Sequence, residues 1–541
     1  MPNFTRGLLN WTVKTKTLIK CAGIGGGVAA VAASPAISTN PIQIQDTAIV
    51  NKANGVLRFI RSLKIGLWIS LDYYFSMAGL DESSSNSKIM KSRIHQRSAE
   101  RILNGCLSNG GCYIKLGQGL VSMGHILPAE YVETLKVLQD RCLTRESGEL
   151  DEIFTEDFGK KPEELFKTFD KQPIAAASIA QVYKATTEDD KDVAVKVQYI
   201  DLQQRFQHDV ITVKTLLKIA GVLHPNYDFS WMIDDLENTL RQELDFVNEG
   251  RNSERCSEDL KHLSYIYVPK VYWNYTNSRI LVTEFIDGRR ISDVEQLKTD
   301  KISLADLNKK LFEAFGHQIF QTGFVHADPH PGNVLVRKIK GDAQLVLLDH
   351  GLYQQVSPDE RRSLSCMWNA IVLNDHDGMK RYSKELGVEN YELFAEILTQ
   401  SPLKAQGFKL RARLTDEDLR QMTEYAKHRF DSVMVCLKEM PSSLLLVLRN
   451  LNTIRAIAHH HGNPIDRYSV LARTATKSIY YEQSKLTKRL INVPKKVYFE
   501  IMLQLQRINR WFWGMSVRIL HKLGLMPDVE AMTNDFKQMQ L

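Results

Sequence analysis

The chain has 541 residues, a formal net charge of +7, 43% hydrophobic residues and 25% charged residues. That balance is ordinary for globular proteins and argues against a mainly disordered chain, a fibre or a polytopic transporter. Seven cysteines with no CxxC pair argue against a disulfide framework or a structural zinc site, and the mild basic excess suits an anionic ligand or membrane surface without demanding nucleic acid.

Length alone predicts roughly three or four domain-sized units. Residues 1–20 read as a mitochondrial targeting segment: no acidic residue precedes Asp46, and Arg6, Lys14, Lys16 and Lys20 lie among Phe4, Leu8, Leu9 and Trp11. Residues 21–38 are small and apolar, with Gly23 and Gly27 at GxxxG spacing. They are just long enough for a single transmembrane helix, with a cleaved extension of the presequence or a flexible linker as the alternatives. Residues 39–94 hold a linker and then an amphipathic helix. Its apolar stretch from Val56 carries Arg58, Arg61, Lys64 and Asp72, which are costly inside lipid, so it is expected to pack on the body or lie at an interface.

From about Phe158 the pattern changes to short β-branched runs. Ser178–Ala185 and Asp192–Val197 predict an antiparallel hairpin joined by the charged turn 186–191. A helix is expected around 234–252, and strands over 267–273 and 279–285. After Ile302, Leu304, Leu307, Leu311, Phe315 and Ile319 recur at helical steps. A strand-rich region (158–287) followed by a helix-rich one (288–400) predicts an α+β, two-lobe architecture. Residues 401–541 read as helical. Basic residues from Lys488 to Lys522 alternate with Tyr498, Ile501, Leu505, Trp511 and Trp513, a pattern that packs on the body or rests on an anionic membrane. His459, His460 and His461 point different ways on a helix and read as surface or capping polarity. Cys106 and Cys112 read as buried small residues.

The chemistry lies in three spaced motifs. Val-Ala-Val-Lys196 places an ammonium on a strand. In Val325-His-Ala-Asp328-Pro-His-Pro-Gly-Asn333, five positions separate Asp328 from Asn333, the spacing of the catalytic-loop Asp and metal-binding Asn of protein kinases. Sixteen residues later stands Asp349-His350-Gly351, at the metal-binding Asp-Phe-Gly position. Phosphoryl transfer needs oxygen ligands for divalent metal and a lysine for the nucleotide, and these residues supply that set.

The 325–333 stretch resembles the hallmark of the UbiB/AarF atypical kinase family. Ala175-Ala176-Ala177-Ser178-Ile179 is similar to the Ala-rich loop that replaces the Gly-rich nucleotide loop. Lys115-Leu-Gly-Gln118 resembles the KxGQ signature in a helical extension over 95–157, and Glu243-Leu-Asp245 its ExD partner. The hinge, Glu284-Phe-Ile286, resembles that of the animal subgroup containing aarF-domain-containing kinase one. The resemblance covers roughly residues 95–400. It implies an atypical protein-kinase-like fold that binds ATP and Mg2+. Lys196 would bind phosphates and pair with Glu249, Asn333 and Asp349 would hold magnesium, and Asp328 would be the catalytic acid/base. The Ala-rich loop, with Ser178, would face the phosphates, and the backbone from Glu284 to Ile286 would take the adenine. Lys115 and Gln118 would lie near Glu243 and Asp245, blocking a peptide-docking space.

Two departures stand out: Ala327 replaces the Arg of His-Arg-Asp, and His350 replaces the Phe of Asp-Phe-Gly. They favour an ATPase or small-molecule kinase over a protein kinase. The resemblance further implies a mitochondrial role in lipid or ubiquinone homeostasis and membrane organisation, with a membrane lipid or quinone as partner and no nucleic acid. The body is expected in the intermembrane space at the inner membrane, or alternatively in the matrix. The competing functions are a serine/threonine protein kinase and a nucleotide-dependent scaffold with little turnover.

Overall fold

This computed structural model describes residues 47–77, 85–110, 112–122, 128–140, 147–176, 179–200, 202–223, 237, 241–399, 432–433, 435–437, 439–481, 493–508, 512 and 515. The targeting and transmembrane expectations for 1–38 fall outside them. The chain divides into two units, 1–54 and 55–541; of the first only 47–54 are described, and these are helical.

Helix α1 (Thr47–Met77) covers the predicted amphipathic segment. It turns its polar side inward: Arg58 pairs with the buried Asp209 at 2.9 Å, and Asp72 pairs with Arg97 and Arg101 of α2 (Ser85–Asn109) at 2.7 and 2.5 Å. Helices α3 (Cys112–Ser122) and α4 (Ala129–Leu135) complete this layer around Cys106, Ile114, Leu135 and Leu138. Gly117 of the KxGQ sequence allows the close approach, since a Cβ there would sit 2.2 Å from Leu138 Cδ1. Cys106 is a free, buried thiol whose pKa burial pushes up to about 12.

After α5 (Ser147–Phe158), the N-lobe sheet begins with β1 (Thr168–Phe169) and β2 (Ala175–Ala176). The predicted hairpin forms as β3 (Ala180–Thr186) and β4 (Asp192–Gln198), paired from Ala180↔Gln198 to Thr186↔Asp192. Period-two alternation sends Val193, Val195 and Val197 into a core with Phe154, Phe166 and Tyr183. Each such large side chain, fully buried, contributes about 1.5–3 kcal/mol. Alternation sends Lys196 to the opposite face.

Helix α6 (Leu202–Leu223) supplies Asp209 for α1. The helix expected over 234–252 instead restarts at Asp245, whose Oδ1 accepts from the Val247 and Asn248 amides and caps α7 (Phe246–Leu260). The strand expected over 267–273 is also corrected. Only β5 (Ile266–Tyr267) forms, with a lone bridge at Val271 and a 3-10 turn over Trp273–Tyr275. Pro269 offers no N–H to extend the ladder. Strand β6 (Ile280–Glu284) pairs with β4, Lys196 opposite Leu281.

The helix-rich lobe follows. Strand β7 (Arg289–Arg290) precedes α8 (Leu304–His317), which buries Leu307, Leu311 and Phe315 as its periodicity predicts. Strands β8 (Phe324–His326), β9 (Val334–Ile339), β10 (Asp342–Leu347) and β11 (Tyr353–Gln355) carry the motif loops, with order β5-β10-β9-β7 in one sheet and β11-β8 in another. Helices α9 (Pro358–Leu373), α10 (His376–Glu385), α11 (Tyr391–Thr399), α12 (Ser442–His460) and α13 (Arg467–Tyr481) surround them. Residues of α12, α13 and the helix at 493–508 join the same core as α8 and α9. That last helix packs through Phe499 and Leu503 while Tyr498, Ile501 and Leu505 stay exposed. Of the three histidines, His461 is not on the surface. It is buried at the end of α12, its Nδ1 within 2.8 Å of Asn308 Nδ2 and its Nε2 within 2.8 Å of the Ile291 carbonyl.

Candidate nucleotide site

Strand β4 aims Lys196 across the sheet to α7. Its Nζ donates to both Glu249 carboxylate oxygens, at 2.7 and 2.9 Å, and lies 3.5 Å from Asp349 Oδ2. Burial opposes the ammonium charge, but Asp349 and Glu249 outweigh it and hold the lysine pKa above its usual range. Burial also pushes Glu249 up to about 7, against the pull of Lys196. Asp349 remains 38% exposed, open to a ligand in the cleft.

The two metal-type loops run from β8 to β9 and from β10 to β11, and β8 pairs with β11 while β9 pairs with β10. Tyr353 of β11 pairs with His326 of β8, and the Leu348 amide donates to the Asn333 carbonyl at 2.9 Å. His326 fixes both loops: its Nε2–H donates to the Asp349 carbonyl at 2.7 Å, and its Nδ1 accepts from the Asp328 amide at 3.1 Å. Asp349 Oδ1 accepts from the Gly351 amide at 3.0 Å. The side-chain amide of Asn333 and the carboxylate of Asp349 are oxygen donors of the kind magnesium takes, on loops hydrogen-bonded to each other. Held by Asn333 and Asp349, such an ion would supply positive charge against the phosphates.

His350, at the Phe position of Asp-Phe-Gly, points inward. Its Nδ1 accepts from Tyr353 Oη at 2.9 Å and its Nε2–H donates to the Leu347 carbonyl at 3.1 Å. Burial and the neighbouring His326 drive its pKa down to about 3, so it is neutral. The loop is therefore pinned by hydrogen bonds in place of an aromatic plug. Asn252 of α7 adds a bond to the His350 carbonyl at 3.1 Å.

The remaining predicted residues divide. Ala175 and Ala176 are exposed on β2, paired with Val182 and Gln181. Ala177, Ser178 and the Lys115 side chain lie outside the described residues. Ile179 turns its side chain into the core beside Leu202 and Phe206, and its carbonyl accepts from Tyr199. At the hinge, the Glu284 amide donates to Lys270 and its carboxylate accepts from Tyr267 Oη at 2.5 Å; the Ile286 side chain is buried. Of the KxGQ and ExD residues expected to gather, the side chains of Gln118, Glu243 and Asp245 are described. Gln118 Nε2 donates instead to the Leu138 carbonyl at 2.8 Å, and Asp245 caps its own helix. Glu243 does approach the cleft: a Cβ on Gly351 would lie 3.9 Å from its Cα.

Sequence reasoning missed two residues of α12. Arg449 pairs with Asp328 Oδ2 at 3.1 Å, and Asn450 Nδ2 donates to the His326 carbonyl at 2.5 Å. The available signal was polar residues, Arg449 and Asn450, inside the leucine-rich run Leu444–Leu451.

Residues 137–383 match the ABC1 atypical kinase-like domain. The probable serine/threonine-protein kinase abkD of Dictyostelium discoideum is 36% identical over 519 residues, 95% of this chain and 74% of its own. The chain belongs to the UbiB/AarF family of atypical kinases. Within that family, AarF domain-containing protein kinase 1 of mouse is 36% identical over 74% of this chain and 78% of its own. A putative ABC1 protein of Arabidopsis thaliana is 32% identical over 91% and 94%. Among solved structures, that of Rv3197 with erythromycin from Mycobacterium tuberculosis covers 73% of this chain and 98% of its own, at 19% identity and a TM-score of 0.44. As a UbiB/AarF member the chain is a kinase-like enzyme with an α+β, two-lobe kinase-like fold.

Proposed function

We propose that this cleft binds ATP with magnesium and hydrolyses it, in support of lipid or ubiquinone homeostasis and membrane organisation in mitochondria. The observation that carries the reading is the contact of Lys196 with Glu249 and Asp349, which puts a charged lysine beside a metal-type carboxylate. Lys196 would hold the nucleotide phosphates, Asn333 and Asp349 the ion, and Asp328 would orient the attacking hydroxyl or water. The inward, hydrogen-bonded His350 keeps Asp349 set before nucleotide arrives, which lowers the ordering cost of binding.

A membrane lipid or quinone is the proposed partner, at the inner membrane with the body in the intermembrane space. Support comes from α1, whose polar side faces the protein while Leu57, Trp68, Tyr74 and Phe75 are each more than half exposed. No described helix is long and apolar enough to cross a membrane. Exposed Lys64 on the same helix suits anionic headgroups.

The test is ATP turnover by the full chain with magnesium, with and without cardiolipin-containing liposomes, using Asp349→Ala as control. Liposome-stimulated turnover that disappears in the variant supports the proposal. Tight ATP binding with no turnover under either condition would leave a nucleotide-dependent scaffold. Protease protection of imported protein in intact and inner-membrane-only mitochondria tests the topology.

A further inference from the structure

The catalytic loop contains no arginine or lysine between Val325 and Asn333. The His330 ring turns back on the loop, with Nδ1 accepting from the Gly332 amide at 3.2 Å. A cation at the transferring phosphoryl group is nevertheless what this reaction rewards most, because charge spreads over the phosphoryl oxygens and little other chemistry is required of the protein.

Helix α12 brings one there from outside the motif-bearing region. Arg449 lies 3.1 Å from Asp328 Oδ2, and the next residue, Asn450, donates to the carbonyl of His326, two residues before Asp328. Asn450 and its neighbours Val447, Leu448 and Leu451 are buried, so the helix has a fixed seat on the loop. Arg449 is poorly satisfied in that seat: its Nε is buried with no hydrogen-bond partner. A buried donor left unpaired costs about 1–3 kcal/mol, so this seat satisfies the guanidinium only in part.

We propose that Arg449 is an arginine finger supplied in cis, resting on Asp328 and contacting the γ-phosphoryl oxygens in the transition state. This rests on the ATP reading above. In the step itself, the oxygen of water or an acceptor hydroxyl bonds to the γ-phosphorus. The bond from that phosphorus to the β–γ bridging oxygen breaks, and its electron pair stays on ADP. The nucleophile's proton passes to the Asp328 carboxylate. Arg449 shares its charge between that carboxylate and the phosphoryl oxygens. The C-terminal helices thereby complete a site that the loops 325–333 and 349–351 leave short of positive charge.

The experiment measures magnesium-dependent ATP turnover of the full chain, together with binding of ADP alone and of ADP with aluminium fluoride, a planar phosphoryl mimic. Wild type, Arg449→Ala, Arg449→Lys and Asp349→Ala are compared, with thermal melts to show that each is folded. The expected result for Arg449→Ala is a kcat lower by on the order of 100-fold or more. ADP affinity should be unchanged, the tightening by aluminium fluoride lost, and turnover partly restored by millimolar guanidinium. Arg449→Lys should be intermediate, since a lysine keeps the charge without the planar fork. Unchanged or raised turnover in Arg449→Ala, or aluminium fluoride binding as tight as in wild type, overturns the finger while leaving the ATPase reading intact. No turnover by wild type above Asp349→Ala, under any lipid condition, overturns both.

Discussion

Lys196 and Glu249 stand 53 positions apart in the chain, yet the lysine Nζ bridges both carboxylate oxygens of Glu249 at 2.7 and 2.9 Å. Neither is comfortable alone, because burial disfavours both charges. Lys196→Met should therefore abolish ATP binding and cost about 3 kcal/mol or more, as expected when one partner of a buried pair is removed. The remaining Glu249 should titrate above its present value of about 7, so the variant should lose stability as pH rises through neutrality. Urea denaturation at pH 6 and pH 8 reads this directly. Lys196→Met combined with Glu249→Gln should recover the stability and not the binding. A single variant equally stable at both pH values would show that Glu249 is not left charged and buried.

The hydrogen-bonded His350 predicts a second outcome. His350→Phe restores the residue of ordinary kinases at this position but removes the ring's bonds to Tyr353 Oη and the Leu347 carbonyl in the interior. The loss should be about 1–3 kcal/mol, visible as a lowered midpoint in denaturant. Tyr353→Phe should cost less in the His350→Phe background than in wild type, because the bond between the two side chains is already gone. If His350→Phe were as stable as wild type, the hydrogen-bonded pin would have no energetic content.

His317 supplies the pH prediction. Burial, and then the neighbouring His262 with ring centroids 4.4 Å apart, lower its pKa from 6.5 to about 4. The unfolded chain therefore binds this proton more readily than the folded one between pH 6.5 and 4. Stability is fully present above that window and is lost as pH falls through it. The denaturation midpoint should drop between pH 7 and pH 5, and drop less in His317→Gln. An identical drop in the variant would assign the effect to other groups.

The outward side of α1 makes the membrane proposal testable by substitution. Trp68→Ser with Phe75→Ser should weaken flotation with cardiolipin-containing vesicles while leaving the melting temperature nearly unchanged, since both side chains are more than half exposed. Weakened flotation with neutral as well as anionic vesicles would assign the effect to apolar contact. Flotation unchanged with both would remove α1 from the membrane contact.

What could be read in the residues was local in character. The hairpin of β3 and β4 follows from alternation across a short polar turn, and α8 from three- and four-residue steps, because each pattern spans only a few neighbours. The Lys196, Asp328, Asn333 and Asp349 constellation was legible because the chemistry demands those groups at set spacings along strands and loops. The strand expected over 267–273 failed on Pro269, and the helix over 234–252 was interrupted where Asp245 found a better use as a cap.

The sequence by itself determined the candidate residues for a nucleotide and metal site, and much of the secondary structure that carries them, since both depend on neighbours within a few positions. Only the tertiary structure decided which distant side chains meet. Asn450 reaches the carbonyl of His326 across 124 positions, Arg58 finds Asp209 across 151, and Arg449 is set on Asp328. Such contacts have no period to detect: helix packing sets them, and packing is a property of the whole core.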